Sequence, residues 1–365
     1  MGLKCGIIGI TNTGKTTLFN CISETKVPTS SFAFSTNRSN LGQVKVPDSR
    51  LQKIDELIRS AKVVPTTVDI IDIPGLAKGS SKGEGVGNSF LSDIRNCDAL
   101  IHVVRCFDDP NLPHIDETID PVRDRETIDL ELQVKDLESV EKRLQKLEKA
   151  AKAAEKSAKR GLEVVSAVKA HIENFQNVRT MNLDPEEEEF IADLMLLTAK
   201  PVIYVCNVDE SSAVNGNNYS RKFTESLGDE NAEVLIIAAR AESEIAELDD
   251  EQDREAFLTA IGLEEPGVNK LIRSAFTILN LEVFFTAGPK EVRAWTIRRG
   301  STAPEAAGVI HSDLQRGFIR AEVMKYNDFI THKSEAACRD AGKLFVEGKN
   351  YVVEDGDILH IRFNV

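Results

Sequence analysis

The sequence predicts an α/β fold of the P-loop NTPase, G-domain-like type, with an inserted antiparallel α-helical coiled-coil hairpin and a C-terminal β-grasp domain. A glycine-rich loop joins an apolar strand to a helix within residues 3–20, and a second apolar strand runs into an aspartate and a glycine within residues 67–75. Residues 130–175 carry apolar positions at heptad spacing, and short strand-like runs begin after residue 277. The first two features predict a nucleotide site, and the other two predict the inserted and appended parts.

Length and composition predict a globular, cytoplasmic protein. The 365 residues, 41% of them hydrophobic, suffice for two or three folding units with apolar cores. The six cysteines show no C-x-x-C pairing and several lie in apolar runs, which is typical of reduced core cysteines in the cytosol. We expect no signal peptide and no membrane partner, because the apolar stretches are too short. The net charge of −14 leaves room only for a local basic face. We expect a monomer without sequence-specific DNA binding.

The run Gly9-Ile10-Thr11-Asn12-Thr13-Gly14-Lys15-Thr16 has the spacing of a P-loop and follows the apolar run Leu3–Ile8. Such a loop presents backbone N–H groups and the positive end of a helix dipole to phosphates, and its lysine reaches the β- and γ-phosphates. The hydroxyl of Thr16 would bind Mg²⁺. The residues predicted to contact the nucleotide here are Asn12, Thr13, Gly14, Lys15, Thr16 and Thr17, with Lys15 also assigned a catalytic role.

A Walker B strand is predicted at Thr67–Gly75. Its carboxylate, Asp72, would hold the metal, and the N–H of Gly75 would report the γ-phosphate, so Gly75 joins Lys15 in the catalytic set. The next segment, residues 76–87, holds four further glycines and is predicted to be a switch, the alternative being a surface loop without a role. Thr36, between the two motifs, would give the metal a second hydroxyl. The predicted metal ligands are therefore Thr16, Thr36 and Asp72.

The base-binding motif departs from that of guanine-specific enzymes. After the strand at residues 202–206, Asn207-Val208-Asp209-Glu210 stands where a GTPase carries Asn-Lys-x-Asp. Guanine donates two hydrogen bonds to that aspartate, whereas adenine has no N1–H and its N1 would repel a carboxylate. We therefore expect Glu210 to turn away while Asn207 and Val208 shape the pocket, so that ATP is preferred over GTP. A GTPase of the same fold stays open if Glu210 still accepts guanine.

The hydrolytic group is not evident from the motifs alone. Leu76 occupies the position where Ras-like enzymes orient water with a glutamine, which predicts a slow intrinsic rate and a catalytic group from elsewhere. His114 is one candidate, in the irregular loop after the strand at residues 99–104; a solvated loop histidine is the alternative. Asn12 could bind a monovalent cation such as K⁺, or simply pack the loop. His102 is interpreted as a core histidine. A regulatory adaptor whose hydrolysis is incidental also remains open.

The heptad positions predict a helical hairpin that projects from the nucleotide-binding core. Gly161 interrupts the heptad pattern, which resumes over residues 162–175. A further helix is predicted after the hairpin, with Asp184 as N-cap, Pro185 in the first turn and Glu187 closing a capping box. The tip of the hairpin is basic, which suits either contact with RNA phosphate or an ordinary solvated face. The basic residues are Lys146, Lys149, Lys152, Lys156, Lys159 and Arg160, against Glu148 and Glu155.

The C-terminal segment reads as short strands with one helix between them. Strands are predicted at residues 282–286 and 292–297, a helix at 303–314, and a last hairpin whose strands 351–353 and 358–361 are joined by a turn at 354–357. This order suits a β-grasp binding module. The segment also contains five arginines, which would form either a contact surface or an ordinary basic surface. They are Arg293, Arg298, Arg299, Arg316 and Arg320.

Over nearly its whole length the chain resembles the YchF-type Obg-like ATPases, a TRAFAC-class family of P-loop NTPases with a C-terminal TGS domain. The motifs that carry the resemblance, besides those of the nucleotide site, are at residues 46–51, 81–85, 120–124, 285–295 and 362–365. The segment at 32–40 departs from it, because the family there has Tyr-Pro-Phe-x-Thr-Ile-Glu-Pro-Asn; Thr36 survives the change.

The resemblance implies an ATP-hydrolysing protein associated with ribosomes, through ribosomal RNA or proteins, and with stress responses. It implies an OBG-type nucleotide-binding domain at 1–276, a helical insertion at about 128–198 and a TGS domain at 277–365.

Overall fold

A computed structural model of the chain describes residues 3–23, 26–27, 39–75, 86–152, 156–228 and 230–364. They form two compact units. The first lies within Met1–Gln43 and Asp69–Leu271, and the second within Val44–Val68 and Ile272–Val365. Within the described part of the chain, no helix is both long enough and apolar enough to cross a membrane.

Strands and helices are numbered in chain order over the described residues. The strands are β1 (Lys4–Ile8), β2 (Asn40–Lys45), β3 (Val63–Val64), β4 (Thr67–Asp72), β5 (Ala99–Cys106), β6 (Val202–Val208), β7 (Glu233–Ile237), β8 (Leu281–Ala287), β9 (Val292–Arg298), β10 (Phe318–Met324), β11 (Leu344–Glu347) and β12 (Ile358–Phe363). The helices are α1 (Lys15–Ile22), α2 (Ser49–Ile58), α3 (Val86–Arg95), α4 (Pro121–Lys152), α5 (Lys156–Glu173), α6 (Pro185–Ala192), α7 (Asn218–Ser226), α8 (Ala239–Glu247), α9 (Glu251–Ala260), α10 (Gly267–Ile278), α11 (Ala303–Ile310), α12 (Ser312–Arg316), α13 (Tyr326–His332) and α14 (Glu335–Asp340).

A six-stranded sheet in the order β2-β4-β1-β5-β6-β7 organises the first unit. β1 pairs in parallel with β4 and β5, and β6 pairs in parallel with β5 and β7. β5 and β6 are buried along their whole length, because a parallel sheet has helices on both faces. The carboxyl ends of β1, β4, β5 and β6 therefore meet at one edge, where the predicted nucleotide motifs begin.

The core of the first unit packs apolar side chains of this sheet against its helices, including Leu100, Tyr204 and Phe223. Five of the six free cysteines are buried and Cys21 is partly buried, which confirms their predicted place in the core. His102 is buried as predicted, and burial lowers the pKa of its ring to about 3.

Helices α4 and α5 form the predicted antiparallel hairpin. Lys169 on α5 pairs with Glu141 on α4 at 3.2 Å, while Gly161, earlier on α5, faces Leu147, later on α4. Apolar residues of both helices fill the seam between them, among them Val140 and Val168. α4 begins at Pro121, earlier than the heptad pattern indicated, so this helix also belongs to the nucleotide-binding core.

The interruption of the heptad pattern at Gly161 does not end a helix. α5 extends from Lys156 to Glu173 and includes Gly161, whereas α4 ends at Lys152. A Cβ at residue 161 would lie 2.9 Å from Cδ1 of Phe190 and 3.4 Å from Cδ2 of Leu147. Glycine is required there because Phe190 of α6 lies against the helix, a contact that the heptad spacing does not reveal.

The capping box predicted at the start of α6 is confirmed. The carboxylate of Asp184 accepts from the backbone N–H of Glu187 at 2.9 Å, and the carboxylate of Glu187 accepts from that of Asp184 at 3.2 Å. Pro185 lies in the first turn, where its missing N–H costs nothing.

One buried carboxylate connects the base of the hairpin to the chain that returns to the sheet. Asp136 of α4 is 0% exposed and accepts from the backbone N–H groups of Leu197 and Thr198 at 2.7 and 2.8 Å. It also accepts from the hydroxyl of Thr198 at 2.7 Å. Burial raises the pKa of Asp136, and these hydrogen bonds act to lower it. The three bonds offset the cost of burying the carboxyl group.

The second unit is built on a six-stranded sheet in the order β11-β10-β12-β8-β9-β3. Helix α11 covers it with Ala303, Ala306 and Ala307, which pack in one core with Phe284 and Leu359. β3 pairs in parallel with β9. The predicted boundaries at 1–276 and 277–365 differ from the compact units at residues 44–68 and 272–276; as functional domains they stay predictions.

The predicted last hairpin of the second unit is wrong. Residues 351–353 make only an isolated bridge, between Val352 and Thr302, while β12 pairs with β10 and β8. The turn at 354–357 is bonded to β8 instead, because Gly356 donates to the carbonyl of Val283 at 2.7 Å. The predicted helix at 303–314 is also divided, at His311, into α11 and α12.

Alanine at position 136 should lower the free energy of unfolding of the first unit by about 3 kcal/mol, because it leaves three donors unpaired and each such loss costs roughly 1–3 kcal/mol. The measurement is urea denaturation, comparing Asp136→Ala with the wild type. The matched control is Glu138→Ala on the same helix, which loses an exposed ion pair with Lys135 and should change stability by less than about 0.5 kcal/mol. Equal losses in both variants would contradict an anchoring role.

Candidate nucleotide-binding site

The P-loop makes a tight turn between β1 and α1 at the carboxyl edge of the sheet. Gly14 precedes the helix with a φ of 93°, a left-handed conformation that favours glycine. A Cβ at this position would also run into the side-chain amide of Asn207. Leu18 donates to the carbonyl of Gly14 at 2.9 Å, which begins the helix. The loop therefore presents the N-terminus of α1 at the edge of the sheet.

Lys15, Thr16 and Asp72 come together beneath the loop. The hydroxyl of Thr16 donates to Oδ2 of Asp72 at 2.9 Å, so the P-loop and the Walker B strand are in direct contact. Lys15 is 6% exposed, and its Nζ donates to the carbonyl of Ile10 at 2.5 Å. Burial lowers the pKa of Lys15 to about 8, against the opposing charge of Asp72. Burial raises the pKa of Asp72, against the effects of Lys15 and Thr16.

The donor set around Asp72 fits Mg²⁺. Oδ1 of Asp72 is buried and has no hydrogen-bond partner among the described residues. A buried carboxylate oxygen of this kind calls for a cation or a donor, and a carboxylate beside a hydroxyl offers the hard oxygen ligands that Mg²⁺ prefers. Thr16 and Asp72 therefore suit the metal. The third predicted ligand, Thr36, lies outside the described residues, as does Leu76.

Gly75 lies directly against the P-loop. A Cβ there would be 2.9 Å from Cγ2 and 3.0 Å from the backbone nitrogen of Thr11, so a larger residue would push the two segments apart. The end of the Walker B segment is thus in contact with the P-loop backbone, and a hydrogen bond from the N–H of Gly75 to a phosphate stays a prediction. The remaining predicted switch, residues 76–85, lies outside the described residues.

Asn207 braces the P-loop from the neighbouring strand. Its side-chain amide donates to the carbonyl of Thr13 at 2.8 Å and accepts from the backbone N–H of Ala239 at 3.0 Å. Both ends of the amide are therefore engaged within the protein. Val208, which follows, is buried in the core of the first unit, and Glu210 is exposed at the start of a short 3₁₀ turn. Contact of these residues with a base stays a prediction.

The helix after Ala239 is held by a second buried acid. Glu242 of α8 is 3% exposed, and its carboxylate accepts from the backbone N–H of Gly267 at 2.6 Å, at the start of α10. Burial raises the pKa of Glu242 to about 6, against the backbone hydrogen bonds from Gly267 and Val268. This bond holds helix α8, whose first residue, Ala239, is hydrogen-bonded to Asn207.

The loop that carries His114 is anchored to the P-loop. The side chain of Asn12 donates to the carbonyl of Pro113 at 3.0 Å. The buried guanidinium of Arg105 holds the same loop. It donates to the carbonyls of Phe107 and Leu112 at 3.1 and 2.8 Å, and to the carbonyl of Asp109 at 3.3 Å. The backbone leading to His114 is thus fixed on two sides.

His114 is not a solvated loop residue, so that interpretation is wrong. Its side chain is 3% exposed, and Nε2 lies 3.0 Å from Oδ2 of Asp124, itself 2% exposed. Nδ1 accepts from the backbone N–H of Asp116 at 3.1 Å. Burial raises the pKa of Asp124, while the hydrogen bonds and charges of His114 and Arg123 act to lower it. The ring is held inside its own loop by both nitrogens.

Comparisons with known proteins agree on one family. A family model described as "50S ribosome-binding GTPase" matches residues 4–156, and the YchF-GTPase C-terminal model, described as "Protein of unknown function (DUF933)", matches residues 281–364. Relatives named "Ribosome-binding ATPase YchF" from Bacillus subtilis and Haemophilus influenzae are 46% and 47% identical, and each alignment covers 100% of both chains. The chain belongs to the YchF family.

A solved YchF structure supports the same assignment. The "Structure of the Schizosaccharomyces pombe YchF GTPase" is 36% identical, has a TM-score of 0.87, and the alignment covers 99% of this chain and 98% of that one. The P-loop GTPase-like α/β fold and the C-terminal YchF domain are therefore both present. The relatives are named ATPases, whereas the solved structure and both family models are named GTPases, so the names do not decide the base.

Two residues of this YchF site escaped the sequence reasoning. Arg105 lies in the run Ala99–Cys106, which is apolar except for His102 and Arg105, and a buried cation in a central strand was a signal that it hydrogen-bonds a neighbouring segment. Asp124 belongs to the motif at 120–124 but offers no signal of its own, because its partner His114 lies in an irregular loop.

Glutamine in place of Glu242 should remove a pH dependence of stability. Between the ordinary pKa of 4.5 and the folded value of about 6, the folded chain holds a proton that the unfolded chain has released. The free energy of unfolding therefore falls as pH rises through this range, by about 2 kcal/mol in all. Glu242→Gln, which keeps an acceptor for Gly267, should lack this fall in urea denaturation between pH 4.5 and 7.5. The control Glu244→Gln, exposed on the same helix, should keep it; a wild-type slope in both would refute the assignment.

Proposed function

We propose that this protein is an ATP-binding and ATP-hydrolysing P-loop switch that associates with the ribosome. The contact between Thr16 and Asp72 beside the buried Lys15 carries the proposal, because it joins the phosphate loop and the metal carboxylate in one site. The relatives named ribosome-binding ATPases support the fuel and the partner. We place the protein in the cytoplasm as a monomer, in keeping with its composition.

The residues of the site have distinct proposed roles. Backbone N–H groups of Thr13 to Thr17 and the Nζ of Lys15 would bind the phosphates, and Gly75 would donate its N–H to the γ-phosphate. Thr16 and Asp72, with Thr36, would hold Mg²⁺, which when bound neutralises charge that develops on the phosphates. Asn12 is the proposed ligand of a monovalent cation such as K⁺ at the junction with Pro113.

The positions of Asn207, Val208 and Glu210 support a preference for ATP over GTP. The amide of Asn207 is occupied by Thr13 and Ala239, so it shapes the pocket rather than reading the base edge. Val208 is buried and Glu210 is exposed, one methylene longer than the aspartate that guanine requires. A GTPase is the second candidate, favoured by the name of the Schizosaccharomyces pombe structure.

Hydrolysis is proposed to be slow in the isolated protein, with His114 as the group that activates water. Both nitrogens of its ring are bonded within the loop, so a conformational change must come first. The remaining alternative is a regulatory adaptor whose hydrolysis is incidental. It also fits a His114 ring whose two nitrogens are both hydrogen-bonded.

Contact with the ribosome is proposed to involve a lysine stripe on α4, formed by Lys142, Lys146 and Lys149. Their spacing of four and three residues places them on one face of the helix, and all three are exposed. Several other cations of the hairpin are paired, such as Lys135 with Glu138 and Lys169 with Glu141, whereas the stripe has no ion-pair partner within the described part of the chain. Such unpaired lysines suit RNA phosphates.

Shortening Glu210 should move the nucleotide preference toward guanine. The wild type is expected to bind ATP more tightly than GTP in calorimetric competition, and Glu210→Asp should raise GTP affinity relative to ATP by about tenfold, since one restored pair of hydrogen bonds discriminates bases by 1 kcal/mol or more. Asp209→Glu, beside it, is the control and should leave the ratio unchanged. Tighter binding of GTP by the wild type would refute the ATP proposal.

Charge reversal of the lysine stripe should weaken ribosome binding and its dependence on salt. For Lys142→Glu/Lys146→Glu/Lys149→Glu, the slope of log affinity against log salt should become shallower by about 2–3 units, as expected when about three phosphate contacts are lost. Co-sedimentation over a salt series measures this. The control reverses three exposed lysines outside the hairpin: Lys53, Lys222 and Lys349. Equal losses in both triple variants would mean that overall charge, not the stripe, governs binding.

A further inference from the structure

We propose that Asp124 is a positioning residue that holds His114 in a resting conformation unable to activate water, and that its release is the step by which a bound ribosome accelerates hydrolysis. The inference rests on the proposed function and adds the residue through which that function is regulated. It is drawn from the hydrogen bonds of the His114 ring and from the place of Asp124 in the fold.

The tautomer of His114 follows from its partners. Asp116 donates a backbone N–H to Nδ1 at 3.1 Å, so Nδ1 carries no proton. Nε2 must then carry the ring proton and donates it to Oδ2 of Asp124 at 3.0 Å. A histidine that acts as a general base needs an unprotonated nitrogen aimed at water. In this arrangement the only such nitrogen is occupied, so His114 is silent until one of the two bonds opens.

Asp124 is itself fixed from the other side. Arg123 donates to Oδ1 of Asp124 at 3.2 Å and to the carbonyl of Thr118, where the loop ends. The carboxylate therefore faces His114 on one oxygen and Arg123 on the other. This places Asp124 at the joint between the loop and the first turn of α4.

The tip of the loop is the part that can rearrange. Glu117 has a φ of 61°, a left-handed conformation that costs a non-glycine residue about 1–2 kcal/mol. The neighbouring Ile115 is 50% exposed, although it is a large apolar side chain. Before the tip, the backbone is held by Asn12 and Arg105. The bond between His114 and Asp124 can therefore open while the base of the loop keeps its contact with the P-loop.

Helix α4 links this bond to the proposed ribosome contact. Asp124 lies in its first turn and the lysine stripe lies near its far end, within one continuous helix of 32 residues. A helix rises about 1.5 Å per residue, so Asp124 and Lys149 are separated by roughly 37 Å along one rigid element. A displacement of α4 by a partner bound at the stripe would therefore act directly on the carboxylate that holds His114.

The test measures steady-state ATP hydrolysis without ribosomes for Asp124→Ala, His114→Ala and the double variant. Losing one hydrogen bond to a charged group should raise kcat of Asp124→Ala about tenfold, with KM unchanged. The double variant should be as slow as His114→Ala, because the gain passes through the histidine. Ribosomes should stimulate Asp124→Ala less than the wild type. The matched control is Glu126→Ala, which removes an exposed carboxylate two residues away on the same helix, and it should hydrolyse ATP at the wild-type rate.

Two results would overturn the inference. A lower kcat in Asp124→Ala with unchanged KM would mean that Asp124 orients a working base, and a double variant as fast as Asp124→Ala would mean that the gain bypasses His114. Wild-type activity in His114→Ala would instead remove the histidine from the proposed mechanism, and absence of ATP hydrolysis in the wild type would refute the proposed function. If Asp124→Ala does not fold, Asp124→Asn serves: it keeps one acceptor and should show a smaller rise in kcat, so a fall would count against the proposal.

Discussion

The rest of the site depends on the fixed backbone of the P-loop. A loop that turns its N–H groups toward a phosphate gives up the partners those groups would have in a helix or sheet, so other parts of the protein must hold it. Here Asn207 holds the carbonyl of Thr13, and Asp72 holds the hydroxyl of Thr16. These side chains come from different strands, and parallel pairing brings their ends to one edge. The sheet thus determines the shape of the cradle.

The same kind of contact recurs elsewhere in the first unit. Arg105, Asp136 and Glu242 are each buried, and each bonds backbone groups of another segment: Arg105 and Asp136 bond irregular segments, and Glu242 bonds the first N–H of α10. Burying a charge is costly unless its hydrogen bonds are made, and backbone groups of irregular segments are costly to bury for the same reason. Each pairing removes both costs at once. Single buried side chains therefore hold these backbone segments in place.

Helix α4 connects the loop of His114 to the tip of the hairpin. It begins beside the loop of His114, contributes Asp136 to the base of the hairpin and ends at the basic tip. An ordinary surface insertion could move independently of the nucleotide site, but a continuous helix transmits displacement because its backbone hydrogen bonds resist bending. Hydrolysis and partner binding can therefore be coupled through one element. The names of the relatives differ on whether the nucleotide is ATP or GTP. This coupling does not depend on which of the two is bound.

The amino-acid sequence by itself determined the features whose causes are local or periodic. The P-loop, the Walker B strand, the capping box at Asp184 and the two hairpin helices all follow from spacing within a few turns or one strand. Only the tertiary structure decided that Gly161 faces Phe190 instead of ending a helix, that residues 44–68 join the second unit, and that Asp124 holds His114. Each of these depends on a neighbour brought close by the folding of other segments, and no local pattern encodes which neighbour that will be.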